Sequence, residues 1–347
     1  MIKIGTDFSG IGSPEQALIN LGIKHKSMFA CDIDKYAKQS YLANYKTEHF
    51  YDDITKRNHN KTPYVDLYVA GFPCQAFSLA GKREGLKDTR GTLFFDLLKY
   101  LKAKKPKYFI LENVKGLLSD NGGRTFLTIL DCLAKTVNRQ YSLTNYEDSL
   151  NYYVYYKVLN TKNYGIPQNR ERVFIVGFRD KKHSFKFPKK IPLKTKLKDL
   201  LQDNVDNKYF LSDKTIKGIE KSNFRERQPV NINTVCRTLK TGGDPPCFKV
   251  HSLYPRSGNP KKGGTGHLSK EDGTTYCLDT GNNQAIEYEK KLRKLTPTEC
   301  FRLQGFPDSF VEKCREIKIS DTQLYKQAGN SITVNVMQHL IKEILTD

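Results

Sequence analysis

The sequence opens its first regular pattern with IKIGTDFSGIGSPEQ, residues 2–16. Apolar residues at alternate positions predict a β-strand that ends in a loop around Gly10. Ser13 then provides the N-cap and Pro14 the first residue of a helix, which Gly22 ends. A strand, a glycine-rich loop and a helix in this order are typical of an α/β domain.

The alternation of short apolar runs with amphipathic stretches continues to about residue 180. Further strands are predicted at 27–31, 66–70, 108–111 and 172–177, and helices at 35–45, 92–101, 126–137 and 331–345. Strands that alternate with helices form βαβ units, so we expect an α/β fold with a mainly parallel sheet. Such sheets bind ligands at the carboxyl ends of their strands.

Composition limits the functional classes. The 347 residues include 58 Lys and Arg against 37 Asp and Glu, a net charge of +21, which favours a polyanionic partner such as nucleic acid, the alternative being a surface charged for solubility. No apolar run approaches the ~18 residues of a membrane span, and no signal peptide is recognisable, so we expect a cytoplasmic protein with no membrane partner. The eight cysteines form no C-x-x-C pair, so we expect no metal and mostly small, buried thiols.

The amino-acid composition of the sequence changes near residue 183. Residues 181–290 contain 22 basic and 12 acidic residues, with clusters of glycine and proline and weak helical periodicity. We therefore predict a second, smaller, loop-rich β-domain over 186–291. The first domain covers 1–185 and is completed by 326–347, and residues 292–325 bridge the two.

The first loop suggests a pocket for an adenosine. Asp32 follows Gly12 by 20 residues, at the end of the second predicted strand, where an acceptor for a ribose hydroxyl belongs. Phe8 either stacks on an adenine or belongs to the core. The third glycine of the G-x-G-x-x-G pattern is missing, which disfavours a dinucleotide with its pyrophosphate.

A candidate nucleophile follows another strand. Cys74 lies in GFPCQAFS, residues 71–78, and a thiol near cations at a strand end can have a lowered pKa. The alternative is a buried structural cysteine. The loop that follows contains four cations, Lys82, Arg83, Lys87 and Arg90.

Three charged residues come at the ends of other strands. Glu112 ends the apolar run 108–111 and is either a buried acid with a catalytic task or a helix cap. Arg170 and Arg172 are spaced to share one face of a strand, where they either grip a base or phosphate or form an exposed salt-bridge ladder.

Together these motifs resemble the DNA (cytosine-5)-methyltransferases of bacterial or phage type. The resemblance covers residues 1–180 and 292–345 and rests on six motifs in order: Phe8-Ser9-Gly10-x-Gly12, Gly71-Phe72-Pro73-Cys74-Gln75, Glu112-Asn113-Val114, Gln168-x-Arg170-x-Arg172, Arg302-x-Gln304-Gly305-Phe306-Pro307 and Gly329-Asn330-Ser331. It implies a Rossmann-like, S-adenosylmethionine-dependent methyltransferase sheet with a β-rich target-recognition domain.

The resemblance also implies a reaction and its catalytic residues. Cys74 matches the thiolate that adds to C6 of a cytosine, so that C5 can accept the methyl group of S-adenosylmethionine, leaving S-adenosylhomocysteine. Glu112 matches the acid that contacts N3 and the exocyclic amine. Arg172 matches the residue that holds O2, and Arg170 supports the same site.

For the cofactor, the resemblance places Phe8 against the adenine, Asp32 on the ribose and Asp53 on the adenine amino group, although the adjacent Asp52 leaves that last assignment open. Ile33 stands where the family often has tryptophan. The remaining lining residues implied are Ser9, Gly10, Gly12, Ile54, Pro73, Leu93, Asn330 and Ser331.

The implied partner is double-stranded DNA, from which the target base must be flipped because C6 is inaccessible within the stack. Loop 75–91 is the candidate lid, and the basic segment is the candidate recognition domain. Its candidate DNA contacts are Arg237, Arg256, Lys261 and Lys262. We expect a monomer, with a separately acting cognate restriction endonuclease as a possible further partner.

Three other functions remain open at this point. One is a tRNA methyltransferase of the same chemistry, disfavoured by the Phe-Pro-Cys-Gln motif and the separate basic domain. Another is a DNA-binding regulator that has lost catalysis, which would not need the combination of Cys74, Glu112, Arg170 and Arg172. The third is a nicotinamide oxidoreductase, disfavoured by the incomplete glycine pattern.

Overall fold

A computed structural model describes residues 1–73, 93–141, 149–180, 185–213, 250–252, 268–270, 274–275, 277–278, 284–288 and 291–345. Its strands are β1 (Ile2–Asp7), β2 (His25–Cys31), β3 (Phe50–Tyr51), β4 (Leu67–Gly71), β5 (Tyr108–Val114), β6 (Ala134–Val137), β7 (Gln140–Tyr141), β8 (Tyr152–Asn160), β9 (Glu171–Phe178), β10 (Val250–Ser252), β11 (Leu268–Lys270), β12 (Gln284–Tyr288) and β13 (Lys291–Lys294).

The described helices alternate with the first strands and then follow the last strand along the chain. They are α1 (Ser13–Asn20), α2 (Lys35–Asn44), α3 (Leu93–Lys104), α4 (Arg124–Leu133), α5 (Pro297–Arg302), α6 (Asp308–Glu316), α7 (Asp321–Asn330) and α8 (Val334–Leu345). Short 3₁₀ segments occur at Lys115–Gly123, Thr161–Tyr164, Leu197–Leu200 and Asn207–Tyr209. In the described part of the chain, no helix combines the length and apolarity needed to cross a bilayer.

Nine of the described strands form one mixed sheet in the order β3-β2-β1-β4-β5-β9-β8-β6-β7. The five neighbouring strands at one end of this order, β3, β2, β1, β4 and β5, run parallel to one another. The next strand, β9, pairs antiparallel with both β5 and β8. The carboxyl ends of β1, β2, β4 and β5 therefore meet at one edge. The predicted α/β class with its mainly parallel sheet is confirmed.

A second sheet, of four strands in the order β11-β10-β12-β13, is built from the basic segment and the residues just after it. All three of its pairings are antiparallel. Short strands were expected for the second domain, whereas their antiparallel pairing was not predicted; the boundaries of this domain stay a prediction.

Side chains from the two faces of the large sheet enter separate apolar clusters. In β5, Ile110 packs with the cluster that contains α1 and α8, whereas Phe109 and Leu111 pack with the cluster that contains α3 and α4. This follows from the alternation of side chains along a strand. Helices thus cover both faces, which explains why consecutive residues of β5, from Phe109 to Leu111, are all apolar and buried.

Two predicted elements differ from the structure. Ser13 does not cap α1: Gly12, with φ 82°, is the N-cap residue, and Ser13 Oγ instead bonds to the C-terminal segment. The helix predicted over 126–137 ends at Leu133, because Ala134–Val137 pairs as a strand with β8. The strand β8 itself, Tyr152–Asn160, was not predicted, although it is rich in tyrosine and valine.

A buried ion pair supports the end of β1. The Arg57 guanidinium donates to both carboxylate oxygens of Asp7, at 2.6 and 2.7 Å, and Tyr68 donates to the same carboxylate at 2.6 Å. The Arg57 guanidinium also lies 4.8 Å from the ring centre of Phe29. Both charged groups are buried, so removing either one would leave the other as an unpaired buried charge. The ion pair therefore fixes Asp7, the last residue before the glycine loop.

Candidate functional site

The loop after β1 turns sharply through left-handed backbone conformations. Phe8, Gly10 and Gly12 have φ values of 52°, 51° and 82°. A Cβ atom on Gly12 would lie 2.4 Å from the Tyr45 ring, so this position requires glycine on grounds of both conformation and space. The loop therefore brings its backbone N–H groups to the carboxyl edge of the sheet.

Asp32, directly after β2, holds this loop in place. Its Oδ2 accepts the N–H of Gly10 at 2.8 Å, and its Oδ1 accepts the N–H of Asp34 at 2.9 Å. Burial raises the pKa of Asp32, and these two backbone donors oppose the rise. Next to it, Ile33 is 81% exposed. An acceptor carboxylate and an open apolar side chain thus lie side by side.

The C-terminal segment closes the other side of the loop. Ser13 Oγ lies 2.8 Å from Ser331 Oγ and donates to the carbonyl of Ile332 at 2.7 Å. A cleft at this edge of the sheet is lined by Thr6, Asp7, Phe8, Ser9, Gly10, Ile11, Ser13, Pro14, Val69, Gly71, Glu112, Asn330, Ser331 and Ile332. The structure therefore brings together many of the residues predicted for the cofactor, from both ends of the chain.

Glu112 belongs to the same cleft. It lies within β5, beside Gly71 of β4, and is only 8% exposed. Its Oε1 is 3.2 Å from Nε of Arg172. Burial raises the pKa of Glu112 above its ordinary value, and the positive charges of Arg172 and Arg170 oppose the rise. Glu112 is therefore a buried acid and not the helix cap of the alternative interpretation.

Asn113 fixes the strand end that precedes Cys74. Its side-chain amide donates to the carbonyl of Phe72 at 2.9 Å, which ties β5 to the end of β4. Pro73 is the last residue described before the gap. Asn113 belongs to the motif Glu112-Asn113-Val114, but no role was predicted for it, since a sequence does not reveal a side-chain contact between strands.

Arg170 is 3% exposed and joins three separate segments. Its Nη1 donates to Cys277 Sγ at 3.1 Å and to the carbonyl of Leu278 at 3.2 Å. Its Nη2 donates to the carbonyls of Gly329 and Ser331 at 3.1 and 2.9 Å. Burial lowers the pKa of Arg170. The side chain works as a clamp between the second domain and the C-terminal segment.

Arg172 points from β9 to Glu112 and to the same sulfur. Besides the Glu112 contact, its Nη1 donates to the carbonyl of Glu171 at 2.8 Å and its Nη2 lies 3.6 Å from Cys277 Sγ. Arg170 and Arg172 thus share one face, as their spacing predicts, and they do not form an exposed ladder.

The sulfur of Cys277 contacts both of these arginines. It accepts from Arg170 and Arg172 because Thr275 and Leu278 bind residues 167–169, just before β9, a contact that no local pattern predicts. Four other described cysteines, Cys31, Cys132, Cys300 and Cys314, are buried as expected.

The remaining predicted residues have simpler positions. Asp53 Oδ1 accepts from the backbone and hydroxyl of Thr55, whereas Ile54 is buried in the core. Leu93 begins α3 and Asn330 ends α7. Nine predicted residues lie outside the described part of the chain: Cys74, Lys82, Arg83, Lys87, Arg90, Arg237, Arg256, Lys261 and Lys262. Among the described residues, no group of His, Cys, Asp or Glu could hold a metal ion.

Comparison with known proteins agrees with this arrangement. The profile of the C-5 cytosine-specific DNA methylases matches residues 3–346. The chain belongs to this family. It is 37% identical over 342 residues to the type II methyltransferase M.DsaV of Dactylococcopsis salina, covering 98% of this chain and 84% of the relative. It is also 37% identical over 349 residues to M.NlaX of Neisseria lactamica, covering 99% and 96%.

The crystal structure of S. pombe Dnmt2 methyltransferase superposes with a TM-score of 0.66 at 18% identity, covering 100% of this chain and 99% of that one. This likeness shows the shared fold.

Because the chain belongs to the C-5 cytosine-specific DNA methylase family, the protein is a DNA (cytosine-5)-methyltransferase, and its methyl donor is S-adenosylmethionine. The residues at the glycine loop fit that donor, because Asp32 retains acceptor lone pairs beside Gly10 and the neighbouring Ile33 offers open apolar surface, although neither lines the cleft itself.

The clamp formed by Arg170 generates a prediction about stability. A lysine at this position cannot reach all four acceptors, so Arg170→Lys should lower the free energy of unfolding by about 2–4 kcal/mol, because buried carbonyls lose their partners. The measurement is urea unfolding followed by circular dichroism. Arg179→Lys, at an arginine on the surface that pairs with Asp180, is the control and should change it by less than about 0.5 kcal/mol. Equal effects of the two substitutions would contradict the clamp.

Proposed function

We propose that this methyltransferase acts on a cytosine flipped out of double-stranded DNA, within one short specific sequence, through a covalent bond between Cys74 and C6. The observation that carries the proposal is the pairing of the buried Glu112 with Arg172 in the cleft that the glycine loop also lines. A carboxyl group and a guanidinium, side by side, match the N3 edge and the O2 atom of a cytosine.

The chemistry begins with the weak reactivity of C5. A thiolate at Cys74 attacks C6, the S–C6 bond forms, and the ring electrons move toward C5. S-adenosylmethionine, when bound, supplies an electrophilic methyl group for that carbon. Removal of the C5 proton by a base then restores the ring and expels the Cys74 thiolate. The contact of Asn113 with the backbone of Phe72 supports the assignment of Cys74 as the nucleophile, because it fixes the chain two residues before position 74.

Glu112 and Arg172 act on the ring while Cys74 is bonded to it. Negative charge builds on N3 and O2 as the thiolate adds. Burial favours the protonated form of Glu112, which can donate to N3, and Arg172 can donate to O2. Because Glu112 and Arg172 are already paired, little reorganisation is needed when the base enters.

For the cofactor we propose that Asp32 accepts the ribose hydroxyls and that Phe8 and Ile33 contact the adenine. Asp32 is fixed by two backbone donors, so its remaining lone pairs have a defined direction. Phe8 only partly enters the apolar cluster and lines the cleft, which supports contact with a ligand over a purely structural role. We also propose that Asp53 accepts the adenine amino group: its Oδ1 accepts from Thr55, and its Oδ2, 3.6 Å from Nζ of the exposed Lys56, keeps lone pairs for a ligand.

Recognition of DNA is assigned to the basic second domain and to the cationic loop 75–91, with the eight cations named above as contacts to bases or phosphates. The type II names of the relatives support a role in restriction and modification. A separately acting endonuclease, a monomeric state and a cytoplasmic location stay predictions.

The proposal is tested by expressing the protein in cells that lack cytosine methylation. Bisulfite sequencing should then show 5-methylcytosine confined to one short motif in the DNA. Cys74→Ser should abolish these marks while S-adenosylhomocysteine still binds, because Cys74 contacts the base and not the adenosine. Methylated tRNA with unmodified DNA would support the RNA enzyme, and duplex binding without any methylation would support the regulator. Either result would refute the proposal.

Glu112→Gln should keep the shape of the site but remove its transferable proton. Single-turnover methylation should slow by about 10²-fold or more, with cofactor affinity unchanged. If the protonated form of Glu112 is the active one, the wild-type rate falls as pH rises through its raised pKa. The variant should lack this decline. If the variant kept the wild-type rate and pH profile, Glu112 would have no part in the mechanism.

Asp32→Ala should raise the Kd for S-adenosylhomocysteine, measured by calorimetry, by about tenfold or more, since it removes acceptors from the ribose and the anchor of Gly10. Asp180→Ala is the control, because Asp180 pairs with Arg179 and its side chain is 78% exposed. A Kd for Asp32→Ala equal to that of the control would contradict the assignment of Asp32 to the ribose.

A further inference from the structure

Cys277 is held against the catalytic domain by backbone contacts. The carbonyl of Thr275 accepts the N–H of Asn169 at 2.9 Å, and the N–H of Thr275 donates to the carbonyl of Pro167 at 2.7 Å. On the other side of Cys277, the N–H of Leu278 donates to Oε1 of Gln168 at 3.1 Å. Because the residues on both sides are fixed, the sulfur of Cys277 has a defined position.

That position is at the two arginines of the base site. Sγ lies 3.1 Å from Nη1 of Arg170 and 3.6 Å from Nη2 of Arg172, and 3.5 Å from the carbonyl of Leu278. Arg172 is thereby held at two ends, by Glu112 on its Nε and by Cys277 on its Nη2. Rotation of its guanidinium would break one of these contacts.

The electrostatic surroundings favour a thiolate. Burial acts to raise the pKa of Cys277, but the positive charges of Arg170 and Arg172 outweigh it and bring the pKa below its ordinary value. The ionisable groups that face the sulfur include these two arginines and, on the far side of Arg172, Glu112. The lowered pKa makes a thiolate easier to form here, where it adds a negative charge beside two guanidiniums.

We infer that Cys277 is a positioning residue of the methylation reaction: its sulfur orients the guanidinium of Arg172 toward the O2 atom of the cytosine. The inference rests on the proposed role of Arg172. It gives the second domain a catalytic task besides DNA recognition, because Cys277 contacts Arg172 only when Thr275 and Leu278 are bound to residues 167–169, just before β9. Docking of this part of the second domain therefore completes the proposed base site.

Three substitutions test the inference. Cys277→Ala removes the acceptor and should slow single-turnover methylation of duplex DNA by about tenfold or more, whereas Cys277→Ser keeps a neutral acceptor and should lose about two- to fivefold. Cys314→Ala, at a buried cysteine near Asn44, is the control and should keep the wild-type rate. The Kd for S-adenosylhomocysteine should stay unchanged in all three, because Cys277 contacts no part of the glycine loop.

The pH dependence separates positioning from packing. Below its pKa, Cys277 is a neutral thiol and resembles serine; above it, the thiolate binds both arginines more strongly. The ratio of the wild-type rate to the Cys277→Ser rate should therefore rise with pH and level off above the pKa of Cys277. The titrations of Glu112 and Cys74 occur in both proteins and cancel in this ratio.

The outcomes are distinct. If wild-type protein forms no 5-methylcytosine, the proposed function fails. If the wild type is active but both Cys277 variants match Cys314→Ala, the inference fails and the proposed function stands. A slowed Cys277→Ser variant whose rate ratio is independent of pH would also overturn it, because a packing defect does not titrate. Should Cys277→Ala fold poorly, Cys277→Ser decides the matter alone.

Discussion

The proposed base site depends on one buried guanidinium. Arg170 carries a charge that water cannot reach, and a buried charge without partners costs several kcal/mol. Its partners are the carbonyls of Leu278, Gly329 and Ser331 and the sulfur of Cys277, and they come from two segments far apart in the sequence. Both segments must be in place before the two terminal nitrogens of Arg170 have these partners, so Arg170 links residues 277–278 and 329–331 to the start of β9, although its Nε has no partner among the described residues.

The same arrangement joins the two halves of the cleft. The carbonyl of Ser331 accepts from Arg170, and its hydroxyl contacts the hydroxyl of Ser13 at the start of α1. The loop proposed to hold the cofactor and the pocket proposed to hold the base thus share one wall. Glu112 faces that shared space from β5. A methyl donor and its acceptor must lie within reach of each other, and a common wall provides this geometry.

Much of the site could be predicted because its signals are local. Glycines with positive φ mark the loop, Asp32 follows its strand by a fixed spacing, and the i, i+2 spacing of Arg170 and Arg172 predicts a shared face. What could not be predicted depends on distant contacts. Ser13 looks like a helix cap in sequence, yet its hydroxyl is drawn to residues 331 and 332, more than 300 positions away.

The same reason explains the other differences. A helix predicted through 134–137 becomes a strand because the neighbouring β8 is available to pair with it. Cys277 carried no local signal, since its surroundings exist only when Thr275 and Leu278 bind residues 167–169, just before β9. Local propensity therefore identified several strands and helices of the first domain but not β8, and tertiary contacts decided where some elements end.

The central claim is that a sulfur of this chain bonds to C6 of a displaced cytosine. Duplex DNA with 5-fluorocytosine at the target position tests it most directly, because fluorine stands where the proton must leave and the adduct cannot be released. We expect a complex that survives denaturation, forms only with S-adenosylmethionine present, and contains a peptide linked to DNA through Cys74. Methylation of the normal substrate without any trapped complex, or a linkage at another residue, would contradict the account.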